Sequence, residues 1–96
     1  MFAVLEAIDF RDKWMQHYRH KPDFSNREEG VVAVLDPHEI IEPPDIAGRI
    51  VKVFRPDGST IVVTASHVET CNSIIGIFFK GIFSNEIPKG SKIKWE

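Results

Sequence analysis

The chain has 96 residues, 43% of them hydrophobic, with seven Phe and two Trp. That is one domain with material for a core, and it excludes disorder along the whole chain, because disordered chains lack the apolar surface to offset ordering entropy. The net charge of −2 decides nothing about partners, the single cysteine Cys71 excludes an internal disulfide, and no apolar run approaches the roughly 20 residues of a membrane span.

The opening "MFAVLEAIDFRDKW" has no basic stretch before its apolar run and no small-residue cleavage site, so a secretory signal is not expected. A lone cysteine fits a reducing compartment, and a cytoplasmic location is the expectation. Phe2 and Val4 open a strand over about 2–8. Asp9 can then cap a short helix over about 10–19, with Phe10, Trp14 and Tyr18 spaced i, i+4, i+8 along one face. Lys21-Pro22 stops that helix, because the residue before proline avoids helical backbone. A polar loop runs to Gly30. "VVAVL", Val31 to Leu35, is a short strand of β-branched residues, and barrel strands are expected from residue 31 to 96.

"DPHEIIEPPD" carries three prolines and reads as an extended connection, with Ile40, Ile41 and Ile46 expected to pin it to the core. "GRIVKVFRPDGSTIVVTAS" is a β-hairpin: two β-branched runs flank Pro56-Asp57-Gly58, whose residue types suit a turn. "SIIGIFFKGIF" has apolar residues at both alternating sets of positions, as a strand covered on both faces does. Gly76 and Gly81 fall where such a strand bends or meets another backbone. "KIKW" closes the pattern, Ile93 and Trp95 inward, both lysines outward. Short strands punctuated by turns predict a mainly β fold: a small closed or nearly closed barrel, with one short N-terminal helix packed outside.

The stretch Ile77-Phe78-Phe79-Lys80-Gly81-Ile82, then Ser84-Asn85, then Glu86-Ile87-Pro88-Lys89-Gly90 resembles the end of a known barrel. It is similar to the second domain of translational GTPases of the elongation factor Tu kind. There a strand of apolar–x–apolar–x–Gly–apolar form precedes a polar loop, an acidic residue, Ile, two residues and Gly. "GRIVKV" and "SKIKW" resemble further strands of that barrel, so the likeness spans residues 48–95. It implies a barrel fold, and contact with RNA and partner proteins. Cys71-Asn72-Ser73 replaces the family's Gly-Asp element, and no Walker sequence occurs, so GTPase activity is not implied.

Catalytic and metal patterns are thin. His17 and His20 share a helical face, but two imidazoles are too few for a tight site, and Asp12 adds no recognised spacing. His67 and Cys71, with Glu69 between them, form the nearest thing to a thiolate–imidazole pair. The pairs Glu28-Glu29 and Glu39 with Glu42 lack apolar surroundings that would raise a pKa. The expectation is therefore no enzyme, no metal and no cofactor.

Charge is distributed more tellingly. Residues 21–47 set two basic residues against seven acidic ones, a net of −5; residues 48–96 set seven basic against four acidic, a net of +3. A protein partner is expected to dock on Glu39, Glu42 and Asp45, giving a non-enzymatic adaptor module. The alternative is an RNA-binding barrel using Lys80, Lys89, Lys92 and Lys94, beside Arg49, Lys52 and Arg55 on the hairpin.

Overall fold

The computed structural model describes residues 1–10 and 29–95. Among them are seven strands: β1 (Phe2–Phe10), β2 (Gly30–Leu35), β3 (Ile50–Phe54), β4 (Thr60–Thr64), β5 (His67–Cys71), β6 (Ile74–Lys80) and β7 (Lys92–Lys94). One 3-10 turn covers Ser84–Glu86. The helix expected from about residue 10 lies, beyond Phe10, outside the described residues.

All neighbours pair antiparallel, in the order β4-β3-β7-β1-β2-β6-β5. β1 serves two partners. Its start, Phe2 and Ala3, pairs with β7, and from Val4 onward it pairs with β2, with a register irregularity between Val4 and Glu6. Such a bulge bends the strand and increases its twist, which turns one half of the sheet over the other. Val51, Val53 and Ile93 then meet Val31, Leu35, Ile77 and Phe79 in one fully buried core.

β6 matches its two-sided apolar pattern, for Ile75 through Phe79 are all buried. A Cβ on Gly76 would lie 2.7 Å from Cγ1 of Val32, so this glycine marks a close approach. Gly81 has φ +84 and leaves the strand in a turn. The β3–β4 hairpin closes through Arg55–Ser59. There Gly58 (φ +92) donates to the Arg55 carbonyl at 3.0 Å, and Asp57 Oδ1 accepts from the Ser59 amide at 2.9 Å and its hydroxyl at 2.6 Å. Those Ser59 bonds hold the Asp57 carboxyl below its ordinary value.

Two expectations change. Ile41 does not pin the connection; it is 83% exposed, whereas Ile46 is 1% exposed and Ile40 packs on the core. Asp36 closes a turn on Glu39 and Ile40, which aims Ile40 inward, and the next residue of an extended chain faces the opposite way. Among the described residues the sheet is also not closed by a ladder. β4 and β5 remain its two ends, although the chain joins them through Ala65 and Ser66 alone.

Candidate functional site

The outer face of β4-β3-β7 is built from alternation. β3 and β7 bury every second residue, so Ile50, Lys52 and Phe54 share the opposite face with Lys92 and Lys94. Register then fixes rows across the strands. Val62 lies opposite Lys52, and Lys52 opposite Lys94; Thr60 lies opposite Phe54, and Phe54 opposite Lys92. Ile50 is 65% and Val62 58% exposed, while Phe54 is half-buried. A shallow groove runs here, lined by Arg49, Ile50, Lys52, Phe54, Lys94 and Trp95. The Trp95 ring stacks on Phe2 with centroids 4.7 Å apart, which holds the indole at the groove's edge.

Like charges directly opposite on a sheet cost stability. Lys52 and Lys94 accept that cost, and among the described residues no carboxylate pairs with either, or with Lys92. The arrangement suits an anion that lies along the face and offers apolar or aromatic surface to Ile50, Phe54 and Val62.

The lysines expected to act together are split. Lys92 and Lys94 stand on this face, joined by Lys52. Lys80 ends β6 opposite Gly30, in the other half of the sheet, and Lys89 lies beside Pro88 and Leu5. Arg55 is committed elsewhere: its guanidinium pairs with the Glu86 carboxylate, and its Nε donates to the Glu86 carbonyl at 2.9 Å. Ile50, Phe54 and Val62 were not expected in a site. The alternation in "IVKVF" and "TIVVT" carries that information only once the inward set is known.

The acidic segment is partly structural. Glu39 Oε1 accepts from the Ala3 amide at 2.7 Å, holding the turn against β1, while Glu42 and Asp45 are exposed. His67 and Cys71 sit at opposite ends of β5, with their backbones about 13 Å apart at strand rise. His67 Nε2 instead meets Glu69 Oε1 at 2.8 Å, and its ring stacks on Phe78. His17, His20, Asp12 and Glu28 lie outside the described residues. Among those that are described, no three His, Cys, Asp or Glu side chains gather as metal ligands, and no helix is long and apolar enough to cross a membrane.

No family model matches the chain, and neither a curated protein nor a solved structure matches it.

Proposed function

We propose that this chain is a non-enzymatic binding domain that holds single-stranded RNA across the outer face of β4-β3-β7. The observation that carries the reading is the Lys52–Lys94 cross-strand pair, with Lys92 in the next row and Phe54 between the rows. Lysines neutralise backbone phosphates, while exposed apolar and aromatic side chains offer surface to the bases. The fold reading beside it is a nearly closed barrel of the translation-factor kind. The likeness over residues 48–95 supports it, as does the 2.8 Å bond from the Ser66 amide to the Phe78 carbonyl, which draws the β4–β5 corner onto β6. The lone cysteine agrees with a cytoplasmic site of action.

The test is fluorescence anisotropy with a labelled oligouridine of about 12 nucleotides. Binding should weaken steeply as salt rises. Lys52→Gln with Lys94→Gln should lower the logarithmic salt slope by about 1.4, near 0.7 per phosphate contact on a single strand. Absent binding at low salt, or an unchanged slope in the double variant, defeats the proposal.

A second reading, a protein partner on the 39–45 segment, is favoured by Ile41. This large apolar side chain is 83% exposed and followed by Glu42, Pro43 and Pro44. Ile41→Ser should then abolish partner capture by the tagged protein while leaving its thermal unfolding unchanged. Capture that survives the substitution removes this reading. Glu39 is left intact in that experiment because of its bond to Ala3.

A further inference from the structure

Among the described residues, the end of the sheet at β4 is an open edge. Arg55 N donates to Ser59 O and Ala65 N to Arg49 O, and paired residues in an antiparallel ladder exchange hydrogen bonds at every second position. Val51–Val63 and Val53–Ile61 are therefore the bonded pairs between β3 and β4. The amides and carbonyls of Thr60, Val62 and Thr64 point the other way, out of the sheet. Among the described residues no other strand pairs with β4.

Natural sheets protect such edges with charges, prolines or bulges. "TIVVT" has none of these, and its register with β3 is unbroken. Its residue types also match about Val62, with Thr at both ends and a β-branched aliphatic, Ile61 or Val63, on each side. Set antiparallel against its own copy, it places Val62 opposite Val62, and Thr60 opposite Thr64 in both directions. Every outward amide of one copy then meets an outward carbonyl of the other. The side chains brought together are β-branched pairs and Thr–Thr pairs, which favour cross-strand contact.

We infer that β4 pairs with β4 of a second copy of this chain, joining two sheets across a two-fold axis. Charge permits it. β4 itself carries no charged residue, and Lys52 of each copy, opposite Val62, stands three strand spacings from its counterpart. That is about 14 Å, beyond the screening length at physiological salt. The contact is isologous and closes on itself. It is small, so the dimer is weak and depends on concentration. The inference stands apart from the RNA reading, but the dimer would set two lysine faces side by side on one continuous surface.

Sedimentation of the full chain without nucleic acid, from about 10 μM to about 1 mM, tests the inference by mass action. The average mass should climb toward that of a dimer, and the Val62 amide should gain hydrogen-exchange protection over the same range. Val62→Lys sets two ammonium groups opposite one another at the axis and should weaken association about tenfold or more. Val62 is exposed, so the fold should survive, as circular dichroism would verify. A monomer throughout the range overturns the inference, as does association that is as strong in Val62→Lys as in the parent.

Discussion

Gly76 and Gly30 have their Cα hydrogens turned toward different obstacles. At Gly76 the obstacle is a side chain, Val32 Cγ1, 2.7 Å from where a Cβ would stand. At Gly30 it is backbone, the carbonyl oxygen of Phe79 across the β2–β6 ladder. A side chain can move or be cut back, whereas a paired strand cannot without losing its ladder. Gly76→Ala should cost about 1–3 kcal/mol, the usual range for overpacking, and Gly30→Ala should cost more. Val32→Ala should absorb part of the Gly76→Ala cost, with a coupling of about 1 kcal/mol or more in a double-mutant cycle by urea unfolding. Simple additivity of the two substitutions would show that the clash is relieved elsewhere.

At the scale of elements, strands with a strong local pattern were legible. β2 and the β3–β4 hairpin fall within a residue or two of their expected places, because β-branched runs and Pro-Asp-Gly are local signals, and β6 starts where expected but ends three residues short, at Lys80. β5 is not legible in the same way. His67 and Glu69 alternate with Val68 and Thr70, a half-buried pattern, but the turn that follows has no glycine. Asn72 and Ser73 both take positive φ, 51 and 69, as the tight turns of two-residue hairpins require. Asn is enriched in this backbone and Ser is not, so residue type hid the turn. The candidate site was half legible for a similar reason. Outward lysines on β7 follow from alternation, but Lys52 becomes their partner only because β7 pairs with β3. That pairing is non-local, and no short window of sequence contains it.

For the whole molecule, the smallest strand has the largest job. β7 has three residues, yet among the described residues it alone connects the β3–β4 hairpin to β1 within the sheet. Its central Ile93 is fully buried in the core shared by both halves. Ile93→Ala should cost about 2–5 kcal/mol, as buried Ile truncations do. Because the core is common to both halves, far-ultraviolet dichroism and Trp fluorescence should still report one coincident transition. Two separated transitions would mean that the hairpin half melts alone. The same pairing has a mechanical consequence. Phe2 lies opposite Ile93 and Ala3 opposite Lys92, so the outer ends of the first and last strands sit together. A force drawing those ends apart loads the β1–β7 bonds in succession, as in a zipper, and not all at once in shear. Pulled in that direction the molecule yields at low tension, and it opens first at the seam that joins its halves.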